Sequence, residues 1–182
     1  SISGNSVSGD SGHAQTAGGL YAEANVSIVG TTIDGNTAGS NSALVARNAT
    51  AAALISSSTI SGNVATLGSA VYLQTGAVTI SNSTIAFNSD GVGVTVYFKP
   101  QGSGTLTLES SIIAKNSSAA PVSDLYLAQG ATLSGSSNLV MTSNVSPPNV
   151  ITVTADPQLG SLQFNGGRTR THALLPSSPA IG

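Results

Sequence analysis

Cysteine and tryptophan are both missing from this chain of 182 residues, and only 7% of it is charged, against about 25% in an average soluble domain. Without cysteine, neither a disulfide framework nor a thiolate metal site is available. Five basic and seven acidic residues, with no run of either sign, leave a net charge of −2. A basic stripe that neutralises phosphates is therefore excluded, and nucleic-acid binding with it. So is polybasic attachment to an anionic membrane surface. No stretch approaches the roughly 20 apolar residues of a membrane span, and the first residues do not read as a signal peptide. Aromatic residues make up 4% of the chain, so any core must be aliphatic.

What is abundant is hydroxyl and glycine: 30 Ser, 19 Thr and 21 Gly. They punctuate one short phrase that recurs five times as Ser1-Ile2-Ser3-Gly4-Asn5, Thr32-Ile33-Asp34-Gly35-Asn36, Thr59-Ile60-Ser61-Gly62-Asn63, Thr84-Ile85-Ala86-Phe87-Asn88 and Ile112-Ile113-Ala114-Lys115-Asn116. A weaker sixth copy runs from Leu139-Val140 to Asn144. A loose period of this kind signals stacked supersecondary units. Ser1 opens within a repeat, which sets the expectation of a longer parent protein.

Each phrase follows a short alternating run, such as Val26-Ser27-Ile28, Ala53-Leu54-Ile55, Val78-Thr79-Ile80 or Leu106-Thr107-Leu108. Apolar residues alternating with Ser or Thr mark a strand with one buried face. A third run completes the unit, as in Leu20-Tyr21-Ala22, Leu44-Val45-Ala46, Val71-Tyr72-Leu73 and Leu125-Tyr126-Leu127. Three strands joined by Gly, Ser and Asn corners leave no room for a crossover helix, so like strands must pair by stacking unit on unit. The expected fold is all-β: a right-handed parallel β-helix of about six coils of three short strands, each rising about 4.8 Å on the last. Coils fill residues 1–149, and residues 150–182 hold the last coil and a non-repeating, Pro-rich capping tail that covers the open end. The Asn column, Asn5, Asn36, Asn63, Asn88, Asn116 and Asn144, is expected at a corner, tolerating the left-handed conformation and bonding up the stack as an amide ladder.

Gly18-Gly19-Leu20-Tyr21 and Phe87-Asn88 resemble bacterial right-handed β-helix surface proteins, with the pectin-lyase-like architecture of the chlamydial polymorphic membrane proteins. The segment from Asp156-Pro157-Gln158-Leu159-Gly160 through Asn165-Gly166-Gly167 to Thr171-His172-Ala173-Leu174-Leu175-Pro176 and Ser178-Pro179-Ala180-Ile181 resembles the closing segment of the choice-of-anchor Q group. The resemblance implies a secreted or cell-surface bacterial protein. Arg168 and Arg170 stand where that group more often has Pro.

The same architecture carries polysaccharide lyases and hydrolases, but fold alone does not decide activity. Glycoside hydrolysis needs two carboxylates about 5 to 9.5 Å apart. Asp10, Glu23, Asp34, Asp90, Glu109, Asp124 and Asp156 share no column, and no acidic cluster suits a calcium site. No catalytic residue, metal ligand or cofactor site is therefore assigned. His13 reads as a turn residue and His172 as part of the tail's packing. Two features remain that suit a glycan. Tyr21, Tyr72 and Tyr126 occupy matching places on the third strand, where an outward aromatic strip would stack on sugar rings. Arg168 and Arg170, two apart, would project together as a small basic spot. The expected function is a non-catalytic extracellular or cell-surface scaffold, a stalk or adhesin-like module contacting glycans. The alternative is a fragment of a pectate-lyase-like enzyme whose active site lies elsewhere. An uncovered N-terminal coil also predicts end-to-end self-association.

Overall fold

The structure, a computed structural model, describes residues 1–7, 17–91, 93–119, 121–122 and 124–181. The described residues are all-β, and they stack as a parallel β-solenoid of about five turns. Among them no helix is long and apolar enough to cross a membrane. The repeated phrase builds one sheet of seven parallel strands in the order Ile2–Ser3, Thr32–Asp34, Thr59–Ser61, Thr84–Ala86, Ile112–Ala114, Asn138–Val140 and Ile151–Val153. Its register sets Ile2, Ile33, Ile60, Ile85, Ile113 and Val140 in one line. Past the Asn corner, Ser6–Val7, Thr37–Ala38, Val64–Ala65 and Ser89–Asp90 form a four-stranded sheet that the sequence reading missed.

The second and third runs merge into one eight-stranded sheet. In the two central coils they are continuous, as the 13-residue strand Leu44–Ser56 and the 11-residue strand Val71–Ser81. Their pairing shifts once, between Thr75 and Ala77. Two runs read as separate strands are thus one long strand with an irregularity: Asn48, between the runs of the first, takes a φ of 151°, and the pairing resumes at Ala52 opposite Ala77.

Columns of Ile33, Ile60, Ile85 and Ile113, of Ile55, Ile80 and Leu108, and of Leu44, Val71, Val96 and Leu125 are all fully buried. Burying each such side chain contributes roughly 1.5–3 kcal/mol, and no single coil could bury its inner face alone. Two corners per coil are turned by one left-handed residue each. Gly4, Gly35, Gly62, Phe87 and Lys115 turn the corner before the Asn, with φ between 58° and 68°. Gly30, Ser57, Asn82, Ser110 and Ser137 turn the other, with φ between 47° and 59°. The Asn column itself takes no left-handed conformation; that task falls one residue earlier.

The sixth phrase does not start a sixth coil. After Asn138–Val140 the chain crosses back beside Leu125–Leu127, where Leu125 N–H donates to Thr142 O at 3.1 Å and Leu127 N–H to Asn144 Oδ1 at 2.9 Å. Residues 142–153 therefore cover the edges of Leu125–Leu127 and Asn138–Val140, while Ala131–Ser136 pairs on one side only among the described residues. The tail beyond them forms an antiparallel hairpin, Leu159–Phe164 with Arg170–Leu174, which lies along the side of the solenoid rather than over its end.

Candidate functional site

Three constellations carry polar chemistry: the Asn ladder, the seat of the tail, and the outward tyrosines. In the ladder, the backbone N–H and Nδ2 of each Asn both donate to Oδ1 of the next, from Asn5 to Asn36, Asn63, Asn88 and Asn116, at 2.8–3.1 Å. The same Nδ2 groups also reach the Ile carbonyls of the preceding coil, as Asn36 does to Ile2 and Asn63 to Ile33. Asn144 stands outside this column and instead brackets the Leu127 backbone. The ladder's last acceptor is Asp124, whose Oδ1 takes both donors of Asn116 while Oδ2 takes the N–H and hydroxyl of Thr142. A carboxylate only accepts, so it ends a chain of donors. Burial pushes the Asp124 carboxyl above its usual range, and the bonds from Asn116 and Thr142 pull it back. A parallel ladder runs at the other corner, where Ser58, Ser83 and Ser111 hydroxyls and then Asn138 Oδ1 accept successive backbone N–H groups.

The tail crosses successive coils on the outer face of the phrase sheet. Lys115 pairs with Asp156, and this bond holds the Asp156 carboxyl below its usual value. The Phe87 ring lies 4.9 Å from that of His172. His172 Nδ1 sits 2.7 Å from Gly160 O, and Nε2 lies 2.8 Å from Ser61 Oγ. Because a carbonyl only accepts, Nδ1 carries the proton and Nε2 accepts from the Ser61 hydroxyl. Burial pushes the His172 pKa down, and the bond to Gly160 opposes that. At the far end Arg170 Nη2 donates to both oxygens of Asp34 at 2.7 and 2.6 Å, and Thr32 Oγ1 donates to Arg170 O at 2.9 Å. An open cleft of about 430 Å³ remains between hairpin and sheet, bounded by Gly35, Gly62, Phe87, Leu159 and Leu162.

These placements change the reading of several residues. Arg170 is drawn to Asp34, so it does not form a free basic spot with Arg168, which stays exposed before the hairpin's second strand begins. Ser61 faces outward from its strand yet is only 3% exposed, because the hairpin covers it. His13 lies outside the described residues.

The tyrosine column follows the register Tyr21, Val45, Tyr72, Tyr97, Tyr126. Val45 separates Tyr21 from the rest. The continuous strip is therefore Tyr72, Tyr97 and Tyr126, with ring centroids 5.7 and 5.6 Å apart and edge-to-face planes at 77° and 80°. Tyr97 was missing from the set read in the sequence, although its run aligns with the others. Burial and the neighbouring phenol raise the pKa of both Tyr72 and Tyr97. Tyr21 is held apart, its hydroxyl donating to Glu23 Oε1 at 2.6 Å, and Arg47 Nε donates to Gln74 Oε1 at 3.0 Å.

No family model, curated protein or solved structure matches this chain. The solenoid rests on its own geometry. Among the described residues no group of three or more His, Cys, Asp or Glu comes together as a metal site.

Proposed function

We propose that this chain is a non-catalytic scaffold module of a secreted or surface-attached bacterial solenoid protein, of the choice-of-anchor Q kind, and that it contacts glycans through its outward tyrosines. The observation that carries the reading is the strip Tyr72–Tyr97–Tyr126, which climbs the stack on one outer face. Tyr126 at its end is 37% exposed. Gln74 and Lys99, each two residues on from a strip tyrosine, project to the same side and supply donors for sugar hydroxyls.

The chain has no tryptophan, and three of its four tyrosines stand in this strip. Tyrosine emission therefore reports directly on what touches it. Titration with neutral and acidic soluble polysaccharides should change that emission saturably, and Tyr97→Ala should weaken binding roughly 5- to 30-fold, the equivalent of 1–2 kcal/mol. Binding unaffected by Tyr97→Ala would place the contact elsewhere. Release of reducing ends or unsaturated products from pectin or alginate, surviving repurification, would favour the lyase or hydrolase reading instead.

A further inference from the structure

Ser61 and His172 stand to each other as a nucleophile stands to its base. Ser61 Oγ lies 2.8 Å from His172 Nε2, and His172 Nδ1 is held 2.7 Å from Gly160 O. A hydroxyl, an imidazole and a third group that orients the imidazole are the parts that make a serine reactive. The Gly160 carbonyl fixes the tautomer, so the Nε2 lone pair is left for the serine proton. The register sets Ser3, Asp34, Ser61, Ala86 and Ala114 in one outward column, and in that column only Ser61 meets an imidazole.

Ser61 and His172 also line the open cleft of about 430 Å³ between hairpin and sheet. That volume lies within the usual range of small-molecule sites, about 300–1,000 Å³. Gly35 and Gly62 carry no side chain to fill it, and Phe87, Leu159 and Leu162 give it apolar walls. A short acyl chain is the kind of group such walls accept. Charge near the imidazole is balanced: the phrase strands bring Asp34, the hairpin brings Arg170, and these two are paired with each other. The hairpin's other strand, Leu159–Phe164, brings no charged side chain. Burial holds the His172 pKa down, so at neutral pH the imidazole is in the unprotonated form that a base needs.

We propose that Ser61 is an activated nucleophile, which takes a short apolar acyl group from an ester seated in this cleft. Ser61 Oγ adds to the ester carbonyl carbon as its proton passes to His172 Nε2. The intermediate then collapses: the bond from that carbon to the leaving oxygen breaks, and the leaving oxygen takes the proton from Nε2. The products are an O-acylated Ser61 and a free alcohol, with His172 neutral again and nothing oxidised or reduced. One acyl group taken up per chain is a modification rather than turnover, and it leaves the scaffold reading as it stands.

The test incubates the full chain with p-nitrophenyl butyrate and, separately, with an alkyl fluorophosphonate, and locates the adducts by intact mass and peptide mapping. One butyryl or phosphonyl group should appear, on Ser61. Ser61→Ala should carry none there and should stay folded, because alanine holds the same column in the next two coils. His172→Gln, with its fold checked by circular dichroism, should slow the reaction roughly 100- to 10,000-fold. In the native chain the rate should be level from about pH 7 upwards and fall in acid as Nε2 takes a proton, whereas an unassisted serine would speed up about tenfold per pH unit. Ser161 lines the same cleft without an imidazole partner and should remain unlabelled. No adduct at Ser61 with either reagent, equal labelling of Ser161, a rate that climbs steadily with pH, or an unchanged rate in folded His172→Gln overturns the proposal. Release of nitrophenol beyond one equivalent per chain through Ser61 would make the site an esterase and overturn the single modification and the non-catalytic reading together.

Discussion

Changing Asn63 to aspartate alters one atom at the centre of the ladder and reverses its hydrogen-bonding sense. Asn63 Nδ2 donates to Asn88 Oδ1 at 2.8 Å, Ile33 O at 3.0 Å and Ser61 O at 3.2 Å, in a fully buried position. Asn63→Asp sets a carboxylate oxygen against those three acceptors. The other oxygen still receives both donors of Asn36, so half of the rung survives. Stranding one buried charge in this way costs about 3–5 kcal/mol. At about 2–4 °C per kcal/mol for a domain of this size, the midpoint should fall by roughly 6–20 °C at pH 7. The new carboxyl would titrate above its unfolded value, so the folded state would bind more protons across that window, and stability would fall as pH rises through it. The deficit should therefore be smallest near pH 4 and widen towards neutrality. Thermal unfolding followed by far-ultraviolet circular dichroism at a series of pH values measures both effects. A penalty under about 1 kcal/mol, or one that does not vary with pH, would refute the donor-chain reasoning.

Two further expectations follow from the packing and from the tail. Ile60→Asp puts an uncompensated charge between Ile33 and Ile85 and should cost several kcal/mol or abolish folding, whereas Val29→Asp, at a 58% exposed position, should shift the midpoint by only a degree or two. Equal effects would sink the assignment of inner and outer faces. The His172 pKa lies below 6.5, so below that pH the unfolded chain binds more protons than the folded one, and stability should fall as pH drops from about 6.5 towards the folded value. His172→Gln should flatten that slope, and a slope that persists unchanged would remove His172 as its source.

The inner columns were legible because they depend on period alone: Ile33, Ile60, Ile85 and Ile113 recur wherever a strand must face the axis. Stacking of the Asn residues was legible for the same reason as far as Asn116. There the pattern fails, because the next acceptor is Asp124, only eight residues on, where the chain has already changed its course. Asn144 kept the spelling of the phrase without its place. The tail's position was illegible for another reason. The bond between Arg170 and Asp34 spans 136 residues, and nothing local to either residue announces the other. Phe87 and Lys115 hint at it only in hindsight, since they occupy the left-handed corner where earlier coils have glycine, and both meet the tail. Tyr97 was not legible because the run Gly93-Val94-Thr95-Val96-Tyr97 offers both Val94 and Val96 as the inward residue, and only the pairing of Val96 with Val71 and Leu125 sets Tyr97 beside Tyr72 and Tyr126.

A solenoid whose coils touch only the coil above and the coil below unfolds as a row of weakly linked units, free to peel from either end. The tail breaks that rule, because one hairpin is bonded to Thr32, Asp34 and Ser61 and meets Phe87, residues of three consecutive coils. Peeling any one of those coils must first detach the hairpin from the others. The tail thus acts as a splint, converting a stack that would fray gradually into a block that holds or fails together, while coils outside its span keep their independence.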